Sequence, residues 1–409
     1  MKFLKDLKSV LNLTVIVAGL GYFVDLFDIT LFGVVRRSSL EALGYTGDAL
    51  LKEGVFIYNS QMAGMMVGGV VWGMLADKKG RLSVMFGSIL LYSLANFANA
   101  FVWDANSYAL CRFLGGVGLA GELGAAITLV AESLPKEKRG LGTTIVATLG
   151  MFGIVAAALV GQHLDWKTAY VTGGLMGIAL LFTRFKISES GVFTKSHSSE
   201  VSRGNPLVIF TSGKSWRYIC CILIGVPVYF STGVLMTFAP ELTAGLNVEG
   251  AVSAGNAILF GSIGLTIGDL ASGLVSQYLR SRRKAVAAFL ASGLLITAIY
   301  LNTTGLTSGM VYGLTFAIGL CVGYWAVLVT MAAEQFGTNI RGTVATTVPN
   351  FVRGSAIFAA SGFAYLKGTM TAGQAALTVG VICFGAALLA LTQIEETFGR
   401  DLDFDDRQA

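Results

Sequence analysis

Six ionisable residues stand inside stretches of chain that are otherwise apolar: Asp25, Asp28, Arg112, Glu122, Asp269 and Arg353. A carboxylate in such surroundings can take up and release a proton, and a guanidinium there offers a carboxylate a rigid fork of donors. Asp25 and Asp28 are three residues apart, and Asn350 precedes Arg353 by the same spacing, which on a helix sets each pair on nearly one face. Four acids face two bases. Two carboxylates must then be protonated, cation-bound or wet, because an unpaired ionised group in an apolar medium costs several kcal/mol. The chemistry within reach is proton binding and recognition of a charged solute. His163 and His197 are far apart, and Cys111, Cys220, Cys221, Cys321 and Cys383 show no ligand spacing, so no metal centre, catalytic nucleophile or cofactor is expected.

The elements that must hold these residues are membrane helices. Of 409 residues, 54% are hydrophobic and 13% are charged, against about 25% charged in a soluble domain. That excludes a disordered chain, a disulfide scaffold and a conventional soluble enzyme. Spans of about 20 apolar residues are expected at 12–35, 54–76, 82–102, 107–133, 141–163, 168–187, 215–239, 251–278, 285–303, 309–333, 343–366 and 371–393. With the N-terminus inside, 22 Lys and Arg fall in cytoplasmic segments. Five, at Arg36, Arg37, Lys52, Lys167 and Lys367, fall in outer loops. This bias sets both termini in the cytoplasm and the span number even. The first span has acids at its middle and no small-residue cleavage site, so it is read as a retained helix.

Depth follows from a rise of about 1.5 Å per residue. Span four runs inward, which puts Arg112 about 30 Å and Glu122 about 15 Å from its cytoplasmic end; span one runs outward, with Asp25 at about 20 Å and Asp28 at about 24 Å. Asp28 and Arg112 thus share a level, and an ion pair between spans one and four is feasible. Arg353 lies about 15 Å up span eleven, level with Glu122. It either meets an anionic group on a solute or is neutralised internally by Glu122 or Asp269. Tyr229 and Trp325 fall near mid-depth, as cavity residues or as packing. Gln61 is a cavity polar group or an interhelical hydrogen-bonding one. Asp269 is read as lying on a solvated face of span eight.

The chain repeats itself. AESLPKEKRG at 131–140 returns as AEQFGTNIRG at 333–342, an offset of 202. Basic segments follow the second span of each half, and ESGVF (189–193) is echoed by ETFGRDL (396–402). Three echoes near one offset indicate a duplicated six-helix unit. The expected domains are an N-terminal bundle (1–187), a polar cytoplasmic linker (188–214) and a C-terminal bundle with a short tail (215–409).

These motifs carry a resemblance. GMLADKKGR, with Gly73, Asp77 and Arg81, resembles the loop signature of the major facilitator superfamily. RFLGGVGLAGELGAAITLVAESLPKEKRG (112–140) resembles the span-four pattern of its sugar-porter branch, and is closer still to metabolite-proton symporters, nicotinate permeases and organic-ion transporters. Glu189-Ser190 and Glu396-Thr397 resemble that branch's two P-E motifs, without the prolines. The resemblance covers the whole chain. It implies an all-α membrane protein with twelve transmembrane helices in two pseudo-symmetric six-helix bundles, the major facilitator fold. It also implies that Asp28 carries the coupled proton beside Arg112, with Glu122 a second carrier and Asp25 a helper. FVRGSA (351–356) resembles the span-eleven stretch in which an Arg faces anionic substrate, which implies a substrate site of Arg353, Glu122, Asn350, Trp325, Tyr229 and Gln61. Gating between access states falls to Gly73, Asp77, Arg81, Glu132, Arg139, Glu189, Glu334, Arg341 and Glu396. Gly73 is read as permitting close helix contact.

The expected function is secondary active transport of a small organic solute, an organic acid or zwitterion, by alternating access with a proton. A sugar porter or an uncoupled facilitator is the alternative. Span five lacks the G-P pair common in exporters of this superfamily, which favours uptake. The partners are the solute and the lipid bilayer, without nucleic acid. A monomer in a bacterial inner (plasma) membrane is expected. A membrane enzyme lacks a metal or nucleophile cluster here, and a sensor on a transporter scaffold would carry an added signalling domain.

Overall fold

The computed structural model describes residues 12–79, 81–122, 130, 134, 139–184, 215–336 and 341–398, without the side chains of 76–79, 81–82, 139–141, 143–144, 184, 341–343 and 345–346. Lipid offers no hydrogen bonds, so the backbone must satisfy itself, and long apolar stretches become helices. The fold is all-α, a membrane protein of twelve spans in two bundles. Among the described residues the β-structure is one isolated bridge, Glu249 with Thr307. In the first half the helices are α1 (Leu13–Ala42), α2 (Gly47–Lys79), α3 (Arg81–Asn99), α4 (Ala105–Leu119), α5 (Arg139–His163) and α6 (Trp166–Arg184). In the second half they are α7 (Ser215–Phe230), α8 (Ala239–Thr243), α9 (Ala254–Leu279), α10 (Arg282–Asn302), α11 (Ser308–Val322), α12 (Trp325–Glu334), α13 (Arg341–Lys367) and α14 (Ala372–Gln393). Two compact units emerge: Met1–Thr46 with Phe56–Asn205, and Gly47–Val55 with Pro206–Ala409.

Helix starts follow side-chain capping. Asn12 accepts from the Val15 N–H at 2.9 Å. Asp104 and Ser107 form a capping box at α4, as Thr371 and Gln374 do at α14. The Ser107 hydrogen bonds hold the exposed Asp104 carboxyl below its usual range. Helix α1 runs about two turns beyond the expected end of span one. Arg37 and Glu41 pair along its exposed side at 2.8 Å, and Ser39 Oγ donates to its own helix at the Arg36 carbonyl. Arg36, expected in an outer loop, is instead fully buried within α1.

Three spans are interrupted. Span four turns at Ala120–Gly121 and span ten at Gly323–Tyr324. Span seven carries Pro227 and then a π-helical segment, Ser231–Met236. Proline removes one helical hydrogen bond and crowds the carbonyl four residues back. The extra residue of the π turn is the local adjustment next to it.

Inside each unit, two helices meet backbone to backbone. A Cβ at Gly64 or Gly68 of α2 would strike the carbonyl of Phe113 or Val117 on α4, and one at Gly116 would strike Gln61. In the second unit Gly264 and Gly268 of α9 face Phe316 and Leu320 of α11 in the same way, and Gly319 faces Gly261. Only glycine permits this approach. Gly73, expected to make such a contact, has no described atom within 4 Å of a would-be Cβ; the close approach is made one to two turns earlier. Gly68→Val and Gly268→Val are each expected to lower the thermal midpoint in detergent, since overpacking a tight contact costs about 1–3 kcal/mol or more. Gly313→Val, at an exposed glycine with open space around it, is expected to leave the midpoint within a degree or two.

Candidate functional site

In the first unit, α1 and α4 bring an acid and a base together out of reach of water. Arg112 Nη1 lies 3.2 Å from Asp28 Oδ1, and both side chains are wholly buried. The guanidinium also donates to the Asp28 backbone carbonyl and to Asn96 Oδ1 of α3, each at 3.2 Å, and stands 5.4 Å above the Tyr170 ring. Tyr170 shares a 2.6 Å hydrogen bond with Tyr108, whose hydroxyl is 3.2 Å from Ser39 Oγ. The ion pair has a single point of contact. Asp28 Oδ2 and Arg112 Nε have no hydrogen-bond partner among the described residues. One carboxylate oxygen is thus held by cation while the other stays open to a proton. Asp25 lies one turn away and is fully buried, as is Glu122, the first residue after the break in span four. Gln61 is fully buried as well, with neither end of its amide hydrogen-bonded. Sequence reasoning missed Asn96, Tyr108 and Tyr170. Asn96 is a lone amide in an apolar span, which is a usable signal; the tyrosines give none.

The second unit gathers Arg353, Tyr229 and Trp325. Arg353 is 2% exposed on α13, and its Nε donates to Tyr229 Oη at 3.0 Å. The Tyr229 ring meets Trp325 edge to face at 5.8 Å. Tyr229 is presented by the distorted part of span seven. Tyr324 donates its hydroxyl to the Ile224 carbonyl at 2.8 Å, three residues before Pro227. Asn350, one turn before Arg353, is also buried. Asp269 is half-buried and turned towards α12: its Oδ1 accepts the Ala326 N–H at 2.7 Å, at the start of that helix. An unfilled helix N-terminus draws a carboxylate more strongly than lipid headgroups or water at a helix surface do.

In the second unit, where α10 begins and α12 ends, Arg282 makes a two-pronged pair with Glu334 at 2.6 and 2.7 Å. Glu396 caps α10, accepting from Ser281 Oγ and from the N–H groups of Arg282 and Arg283. Arg217 pairs with Glu395 at 2.6 Å. The sequence pointed to Glu334 and Glu396 but not to Arg282, which its basic run RSRRK contains. Of the other residues expected in gating, Glu132 and Glu189 lie outside the described residues, and Asp77, Arg81, Arg139 and Arg341 lie in helices whose side chains at those positions are not described. No group of His, Cys, Asp and Glu able to hold a metal ion occurs among the described residues.

A bundle with paired buried charges in one half and an arginine among aromatic rings in the other is the architecture of a solute carrier. The chain belongs to the Major Facilitator Superfamily, whose family model matches residues 18–361. It is a transporter of small organic solutes, not an enzyme. It is similar to the 3-(3-hydroxy-phenyl)propionate transporter of Escherichia coli, 27% identical over 347 residues that cover 82% of this chain and 84% of that one. It is 26% identical to the niacin transporter of Acinetobacter baylyi over 360 residues, 80% of each. The fold is that of the D-xylose-proton symporter, with a TM-score of 0.71 over 95% of this chain and 99% of that one at 16% identity.

Removing one member of a buried ion pair strands its partner, at about 3–5 kcal/mol, whereas replacing both with apolar groups recovers much of that. Asp28→Leu is therefore expected to lower the thermal midpoint more than the double variant Asp28→Leu/Arg112→Met. A single variant no less stable than the double would contradict this account of the pair. Burial pushes the Glu396 carboxyl up, but hydrogen bonds from Ser281 and from the N–H groups of Phe398, Arg282 and Arg283 outweigh it, so the group titrates below the usual range. Its contribution is complete above the unfolded value of about 4.3 and fades as pH falls through the lower folded value. The midpoint difference between wild type and Glu396→Gln is expected to be full at pH 7 and to shrink as the pH falls below the usual carboxylate range.

Proposed function

We propose that the protein takes up a small organic acid, an aromatic carboxylate foremost, together with a proton, by alternating access across a bacterial inner membrane with both termini in the cytoplasm. The observation that carries this reading is the grouping of Arg353, Tyr229 and Trp325. A guanidinium buried beside two aromatic rings offers a charge-assisted hydrogen bond to a carboxylate and apolar faces to a ring. Relatives named for niacin and for a hydroxyphenylpropionate support the same solute chemistry. Asn350, on the same buried turn, supplies an amide for a second polar group. Glu122 and Gln61 are the first unit's contribution to solute binding.

Asp28 is the proton carrier. Arg112 grips one carboxylate oxygen and leaves the other to accept the proton. Protonation cancels the ionic part of the pair and releases the guanidinium towards Asn96 and the Asp28 carbonyl, so the two protonation states favour different helix positions. Asp25 and Glu122 add negative potential that draws the proton in. H+ is the coupling ion and no other cofactor takes part. The charged pairs at the inner face, Glu334 with Arg282 and the Glu396 cap, together with Gly73, Asp77, Arg81, Glu132, Arg139, Glu189 and Arg341, gate access.

Proteoliposomes with an inward proton gradient test both halves of the reading. Wild type is expected to concentrate radiolabelled nicotinate or 3-(3-hydroxyphenyl)propionate and to acidify the lumen as it does so. Arg353→Ala should cut uptake at least tenfold. Asp28→Asn should abolish accumulation above equilibrium while keeping solute exchange. Full concentrative uptake in both variants would refute the site assignment, and uptake of xylose in place of either acid would make the protein a sugar porter.

A further inference from the structure

Span ten does not cross as one helix. Helix α11 ends at Val322, Gly323 and Tyr324 leave helical geometry, and α12 starts again at Trp325. The first N–H groups of a helix have no partner within it. Tyr324, at the capping position of α12, makes no capping hydrogen bond to it with its side chain. The partner comes from another helix: Asp269 of α9 accepts the Ala326 N–H at 2.7 Å, and the Trp325 N–H also bonds to this carboxylate. The break itself lies against α9. A Cβ at Gly323 would stand 2.5 Å from the Leu265 carbonyl and 2.7 Å from the Asp269 nitrogen. Asp269 therefore caps α12 from outside and fixes the residue where the chain restarts, Trp325, whose ring meets Tyr229 and through it Arg353.

The first unit makes its break differently. Gly64, Gly68 and Gly116 correspond to Gly264, Gly268 and Gly319, so position 69, a glycine, stands where Asp269 stands. There the end of α4 is held by the Trp72 indole, which donates to the Val117 carbonyl at 2.6 Å. The position of the capping acid is a glycine in the first half and an aspartate in the second.

We propose that Asp269 is a positioning residue for solute selectivity: as an external cap on α12 it sets the Trp325 ring against Tyr229, and so the aromatic wall of the Arg353 site. This deepens the organic-acid reading and rests on it. A cap needs an oxygen acceptor and no titrating proton, and Asn caps about as well as Asp. Asp269→Asn and Asp269→Ala should then diverge. A proton carrier at this position would instead make both fail alike.

Protein labelled with 5-fluorotryptophan gives a fluorine resonance for Trp325, assigned by its loss in Trp325→Phe. The resonance is expected to stay within its line width in Asp269→Asn. It should move in Asp269→Ala and in Gly323→Ala, which displaces the same break without removing the carboxylate. In proteoliposomes the KM for nicotinate should rise at least fivefold in Asp269→Ala with Vmax within twofold, and Asp269→Asn should restore it. An unmoved Trp325 resonance in both alanine variants overturns the proposal whatever the solute proves to be. So does loss of concentrative uptake in Asp269→Asn. If Asp269→Ala does not fold, Gly323→Ala and Asp269→Asn decide the matter by the same two readouts. If wild type transports neither acid, the organic-acid reading fails alone, and the resonance still judges the cap.

Discussion

A backbone carbonyl or N–H in lipid has nothing to bond to but protein, and this constraint orders the whole structure. A helix satisfies it by default, so any interruption of a span requires a substitute partner. Each of the three interruptions has one nearby. Trp72 serves the end of α4, Tyr324 serves Ile224 beside Pro227, and Asp269 serves the start of α12. Those same places carry Glu122, Tyr229 and Trp325. A side chain near an irregular turn sits where the chain has left its own ladder and backbone geometry is set by neighbours.

The two units apply one plan with different chemistry. Both clamp a helix pair through glycine and both break the second member of that pair. The first unit then invests in charge: Asp25, Asp28, Arg36, Arg112 and Glu122 are all fully buried. The second places Arg353 beside Tyr229 and keeps its ion pairs, Arg282 with Glu334 and Arg217 with Glu395, near helix ends. Duplication followed by such divergence leaves the two halves of one transporter with different buried chemistry.

Helix positions were legible because hydropathy and length determine them. The Asp28–Arg112 meeting was legible as well, since a constant rise per residue converts sequence position to depth. What failed were inferences about local surroundings. Arg36 looks like a loop residue because two arginines and two serines follow an apolar run, yet Ser39 and the Arg37–Glu41 pair carry the helix onward and Arg36 turns inward. Asp269 looks solvated because nothing adjacent in sequence pairs with it. Its partner is a backbone N–H on another helix, 57 residues away, and no side-chain pattern announces that. Gly73 was singled out for its loop motif, whereas the contact glycines 64, 68, 264 and 268 belong to no motif and are recognisable only by their recurrence in both halves. Tyr170, beneath the Arg112 guanidinium, had no sequence signal because aromatic residues are common throughout the spans.

The glycine seams have a mechanical consequence. Where two helices touch through main chain alone, no side chains stand between them to flex or change rotamer. A push on one is passed to the other almost undiminished. The pairs α2/α4 and α9/α11 each form a stiff beam, and compliance is concentrated at the joint where α4 or α11 ends. A small rearrangement at that joint, such as cargo arriving beside Trp325, is delivered intact along the beam to its far end.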